Sequence, residues 1–167
     1  MSRARPSRHQ VREEPVHVSA GAERVLGVGL DVVEARRVQQ AIENWGDRFL
    51  SRIYRGEERA YCDSQASPWR HYAGRFALKE AVAKAFGTGI GDRIGWKDIQ
   101  VVRDPSSGAP GVRLHGNAAR LAKQLGVERI WVSITHSHSL AIAQAILVGR
   151  GVRAASVSSG GRHMGDE

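Results

Sequence analysis

The chain has 167 residues, a formal net charge of +8 from 25 Lys+Arg against 17 Asp+Glu, and a single cysteine. That length suits one domain with a sizeable core of its own. A lone Cys62 excludes an internal disulfide and fits a reducing, cytoplasmic setting, and no apolar run is long enough for a membrane span.

Residues 26–149 hold 17 Lys+Arg against 12 Asp+Glu, so most of the basic excess lies in the body of the chain. It points to an anionic partner: a phosphate, a nucleic acid or an acidic protein. Residues 1–24 are rich in Arg, Ser, Glu and Pro without sustained periodicity and predict a disordered arm. No continuous apolar region follows the arginines, so the arm is not a secretory signal. Leu26, Val28 and Leu30 alternate with glycines and predict a short strand ending at Asp31. Val38, Ala41, Ile42 and Trp45 recur at helical spacing and form one apolar face, with Gly46 as the stop. Phe49, Leu50 and Ile53 predict a second short helical piece, residues 57–62 a third, and Ser67-Pro68 a break.

Residues 69–86 are alanine-rich and predict the longest helix, with Gly87 placed as its C-terminal cap. Residues 96–102 predict a strand, Asp104-Pro-Ser-Ser-Gly108 a turn, and residues 112–114 the returning strand. Asn117 is positioned to cap a helix over 118–125, and strands follow at 130–135 and 140–148. Residues 150–167 are small and polar and predict a disordered tail. Helices come early and paired strands late. The expected fold is therefore α+β, with one domain over 25–149.

Few residues stand out chemically. Glu80 and Lys84 lie four apart on the long helix and share a face. By pattern alone they are a solvated ion pair worth about 0.2–0.5 kcal/mol. Asp31, at a strand end, either caps the next helix or faces a site. Together the two acids, the lysine and the glycine loop Gly87-Thr-Gly-Ile-Gly91 have the donors of a magnesium–phosphate site. The loop follows a helix and lacks Gly-Lys-Ser/Thr, so it is not a P-loop. His136 and His138 are two apart, but no third ligand at useful spacing accompanies them.

Gly27-Val-Gly-Leu-Asp31-Val-Val-Glu34, then Gly74-Arg-Phe-Ala-Leu-Lys-Glu80-Ala-Val-Ala-Lys84-Ala-Phe-Gly-Thr-Gly-Ile-Gly91, then Ser133-Ile-Thr-His136-Ser resemble, in order, the motifs of holo-acyl-carrier-protein synthases. These are the small stand-alone class of 4'-phosphopantetheinyl transferases. Trp96-Lys-Asp-Ile-Gln and Gly108-x-Pro110 extend the likeness, which runs from about residue 26 to 148. The resemblance implies the fold of that class and transfer of the phosphopantetheine arm of coenzyme A to a serine of an acyl carrier protein. It implies that Asp31 and Glu80 hold Mg2+ and that Lys84 steadies the phosphates. Arg75, Lys79, Lys84, Gly87, Thr88, Gly89, Ile90 and His136 would lie around the coenzyme. A homotrimer with sites between adjacent subunits is the expected assembly. An acidic carrier would dock on Arg36, Arg37 and Arg48, beside the helix that follows Asp31. The long N-terminal arm departs from the family, and His138 has no place in its motif. The reading from another class is a small basic nucleic-acid-binding protein; against it, the basic residues are scattered and no recognition motif stands out.

Overall fold

The computed structural model describes residues 23–150. The expected arm and tail fall outside the described residues, apart from Glu23, Arg24 and Arg150. Arg24 already belongs to the first strand, β1 (Arg24–Glu34). It leads through α1 (Ala35–Ile53), α2 (Gly56–Asp63) and α3 (Pro68–Ala85) to a 3-10 turn at Trp96–Asp98. The hairpin β2 (Ile99–Arg103) and β3 (Pro110–Leu114), the helix α4 (Gly116–Leu125) and the strands β4 (Val127–His136) and β5 (Leu140–Gly149) complete the order. One antiparallel sheet has the order β1-β5-β4, and β2-β3 form a second. The α+β expectation is met, with the first strand of the chain joining the last two.

Helix α3 is the hub. Pro68 stands at its start, where a missing N–H costs nothing. Gly87, with φ 72°, turns the chain out after its end. Eleven of its residues are buried, on all sides, as a helix wrapped by other elements requires. The inner face of the sheet is built of small residues that let α3 lie against it: Gly27 and Gly29 on β1, Ala141, Ala143 and Ala145 on β5. A Cβ at Gly27 would stand 2.0 Å from the Ala85 carbonyl oxygen, and one at Gly29 1.9 Å from that of Ala81. The Gly-x-Gly of β1 therefore serves helix–strand contact, and it brings Asp31, two residues further on the same face, beside α3. The opposite face carries Val28, Leu30 and Val32 of β1 and Trp131 of β4, each 52–57% exposed.

Several boundaries differ from expectation for local reasons. β1 runs past Asp31 to Glu34 because its partner β5 continues to Leu140. Asp31 is thus a strand residue, and Glu34 occupies the cap position of α1. Gly46, at φ 49° and ψ −129°, breaks α1 into the two helical pieces read from the sequence. Trp45, the last residue before that kink, is 61% exposed, while Val38 is buried. Residues 96–98 form a 3-10 turn before β2 rather than strand. α4 starts at Gly116 with His115 at the cap position, so Asn117 lies inside the helix.

Candidate active site

Asp31 and Lys84 meet although 53 residues separate them. Lys84 Nζ donates to Asp31 Oδ1 at 2.8 Å and to the Leu30 carbonyl at 3.4 Å. The i,i+4 spacing of Glu80 and Lys84 sets both on the face of α3 that looks toward β1, and the lysine reaches across to the strand. Glu80 is half-buried. Burial, then the negative charge of Asp31, raises its carboxyl pKa, with Lys84 opposing. The hydrogen bond to Asp31 raises the pKa of Lys84. A cavity of about 460 Å³ opens on these groups and is bounded by Arg37, Val38, Phe49 and Phe76. Its polar floor and apolar walls suit a charged headgroup attached to an aliphatic arm.

The donor set fits a hard divalent cation. Mg2+ takes one or two carboxylates and completes its shell with phosphate oxygens and water. Asp31 and Glu80 supply two carboxylates from separate elements, close enough for one to raise the pKa of the other. The ammonium of Lys84 already shows that a cation settles on Asp31. Among the described residues no group of three or more His, Cys, Asp and Glu is poised for a metal. His138 parts from His136, since it sits in the β4–β5 turn, where its Nδ1 pairs with Arg70 Nη2 at 2.6 Å.

The residues expected around the coenzyme separate into four groups, of which Lys84 lines the cavity just described. Arg75 and His136 line a second cavity of about 190 Å³, with Tyr61, His71 and Arg103. The glycine loop lines neither cavity. Its N–H groups at Gly87, Thr88 and Gly89 donate to the Lys84 and Ala83 carbonyls and close the helix. Lys79 corrects the expectation outright. It is fully buried, and its Nζ donates to Glu58 Oε2 at 3.0 Å, to the Trp96 carbonyl at 3.1 Å and to the Ile99 carbonyl. No donor remains for a phosphate, so Lys79 is a core residue. Burial lowers its pKa, and the adjacent Glu58 carboxylate holds it up. Arg36, Arg37 and Arg48 are exposed, and Arg37 stands at the mouth of the larger cavity.

Sequence reasoning missed Phe49 as a wall of the first cavity and Tyr61, His71 and Arg103 in the second. His71 carried a signal, since it lies four residues before Arg75 on the same helical face. Tyr61 and Arg103 come from α2 and β2, and no spacing links them to α3.

The model of the 4'-phosphopantetheinyl transferase superfamily matches residues 27–144. The holo-[acyl-carrier-protein] synthase of Koribacter versatilis is 45% identical over 123 residues, which cover 74% of this chain and 98% of that protein. Among solved structures, the Helicobacter pylori holo-[acyl-carrier-protein] synthase in complex with coenzyme A has a TM-score of 0.64 at 28% identity. It covers 72% of this chain and 98% of its own. The Neisseria meningitidis synthase has a TM-score of 0.69 at 27% identity, over 74% of this chain and 98% of its own.

Proposed function

The chain belongs to the 4'-phosphopantetheinyl transferase superfamily, and from that premise we propose that it is a holo-acyl-carrier-protein synthase whose reaction centre is Asp31, Glu80 and Lys84. It transfers the 4'-phosphopantetheine group of coenzyme A to a serine of an apo acyl carrier protein and releases adenosine 3',5'-bisphosphate. The observation that carries the assignment of the centre is the convergence of two carboxylates and a lysine on one cavity, from β1 and α3.

The serine oxygen attacks the phosphorus that bears the pantetheine arm, the bond from that phosphorus to the bridging oxygen breaks, and negative charge passes to the departing bisphosphate. Asp31 and Glu80 hold Mg2+ in this reading. The cation, when bound, supplies charge neutralisation at the phosphate oxygens. Lys84, held at 2.8 Å from Asp31, aims a charged donor at the same place, where it steadies the leaving phosphate and can return a proton to it. Phe49 and Phe76 give that side of the centre an apolar wall. The serine proton passes to Glu80 or to a bound water.

A homotrimer with shared sites is part of the proposal. Two features support it. The outer sheet face leaves Val28, Leu30, Val32 and Trp131 uncovered, more contiguous apolar surface than a solvated face favours. Asp31 and Glu80 also line a different cavity from Arg75 and His136 in one protomer. A partner subunit that brings one cavity against the other would give the coenzyme both. The carrier docks on α1 through Arg36, Arg37 and Arg48, and residues 25–149 form the catalytic domain. The cytoplasm is the proposed compartment: Cys62 is a free thiol, and no helix among the described residues is long and apolar enough to cross a membrane.

Mass spectrometry of an apo carrier protein, incubated with the full chain, coenzyme A and Mg2+, tests the function. The expected result is a carrier heavier by one phosphopantetheine on its serine. An unmodified carrier, with coenzyme A intact, would refute the activity. Repeating the incubation with a chelator tests the metal separately.

A further inference from the structure

The smaller cavity lies between α2, α3, β2, β3 and β4, and no carboxylate lines it. Arg75 is 7% exposed, its guanidinium lies 4.0 Å over the Tyr61 ring, and its Nε has no hydrogen-bond partner. Arg103 approaches the same ring at 5.6 Å. The half-buried His71 meets His136 edge to face, ring centroids 5.4 Å apart, and meets Tyr61 at 5.7 Å. The charged and titratable groups facing His71 are Arg70 and Arg75 of α3, Arg103 of β2, His136 of β4 and Tyr61 of α2. None of them is an acid that carries negative charge at neutral pH. Burial, then these cations, lowers the pKa of His71 and keeps its ring neutral.

Two arginines and two histidines around a small hollow, one guanidinium nitrogen of which is unsatisfied, match a compact dianion. A phosphate monoester is one, and coenzyme A carries one on its ribose. We propose that His71 is a determinant of coenzyme recognition that takes up a proton when the phosphate monoester of coenzyme A enters this cavity. This rests on the reading that the chain binds coenzyme A. The empty cavity repels a proton from His71, because its neighbours are cationic. A bound dianion reverses that balance and makes the imidazolium the better hydrogen-bond donor. A pKa raised by the ligand means uptake around neutrality. Affinity for coenzyme A then grows as pH falls, by up to about tenfold per pH unit for one full proton. The phosphate itself has a second pKa of about 6 and would shed protons on meeting arginines, so uptake has the opposite sign from the ligand's own titration.

Calorimetry of the full chain at pH 7, in two buffers of different protonation enthalpy, counts the protons exchanged on binding. The ligands are coenzyme A and dephospho-coenzyme A, which lacks the ribose phosphate. The wild type is expected to take up about half a proton or more with coenzyme A and none with dephospho-coenzyme A. His71→Phe and His71→Gln should still bind coenzyme A, more weakly, with the uptake gone. Uptake that survives both substitutions, uptake equal for the two ligands, or none in the wild type would overturn the proposal. Should neither variant fold, ring NMR of the wild type decides: coenzyme A must convert the histidine in contact with Tyr61 to its charged form, and an unchanged ring refutes the idea. Absence of any coenzyme A binding would instead strike the underlying function, and is told apart by a carrier that also stays unmodified.

Discussion

Lys79 and Lys84 sit five residues apart on one helix, and each pairs with a carboxylate from another element. The Lys79–Glu58 pair is fully buried on both sides, whereas the side chains of Lys84 and Asp31 are 49% and 14% exposed. The buried pair is complete. Glu58 also accepts the Arg55 N–H at 2.8 Å and the Val101 N–H at 3.0 Å, and Lys79 has three acceptors. It pins α3 to α2 and β2 and leaves nothing for a ligand. The exposed pair is incomplete, for a second acid crowds Asp31 and a cavity opens beside it. Identical chemistry thus serves architecture where its valences are filled and leaves room for a ligand where they are open.

Four experiments break or sharpen that contrast. Lys79→Met should cost about 3–5 kcal/mol in urea unfolding, because it strands a buried carboxylate. Adding Glu58→Gln to it should recover part of the loss. A stable Lys79→Met with weakened coenzyme A binding would return Lys79 to the coenzyme. Glu80→Gln keeps shape and removes charge. It should lower transfer by about 10²–10³-fold with an unchanged unfolding midpoint, and Asp31→Ala should do likewise. Activity near wild type at saturating Mg2+ would remove the two-carboxylate centre.

Lys84→Ala should reduce kcat more than it raises KM for coenzyme A, since charge on the leaving group grows in the transition state. Its effect on unfolding should stay within about 1 kcal/mol, as for an exposed pair. A raised KM at constant kcat would make Lys84 a binding residue only. The smallest effect belongs to the fully solvated charges. Arg36→Glu with Arg37→Glu should slow transfer only at low carrier concentration, flatten its dependence on salt and spare coenzyme A affinity. Unaltered efficiency and salt response would move carrier docking elsewhere.

The order of elements and the long helix were legible because their signals are local. Alanine density and a glycine stop mark α3, alternation marks β4, and a strand-length apolar run marks β5. Asp31, Glu80 and Lys84 were legible as a donor set from their chemistry, but that they meet was implied only by the likeness of whole motifs. Periodicity offered a solvated Glu80–Lys84 pair, yet the structure pairs Lys84 with Asp31 across 53 positions. Lys79 was misread for the reverse reason. Its partner Glu58 comes from α2, and no pattern within one helix reveals that an ammonium points into the core. Trp45 fits the apolar stripe of α1 by count, but it ends the first helical piece, just before Gly46, and is exposed. The second cavity draws on five elements, so only its α3 pair, His71 and Arg75, had a spacing to read.

Strand β1 begins with Arg24 opposite Gly149, the last residue of β5. Arg24 and Gly149 are therefore neighbours, at the end of the sheet remote from Asp31. Seven strand residues, about 23 Å, separate Arg24 from Asp31. A fluorescent protein or affinity handle placed directly before Arg24 or directly after Gly149 would attach on that far side. The same adjacency allows Arg24 and Gly149 to be joined by a short linker and the chain reopened in the exposed Asp104–Gly108 turn. Such a permuted chain would keep β1 against α3, and with it the spacing of Asp31 and Glu80.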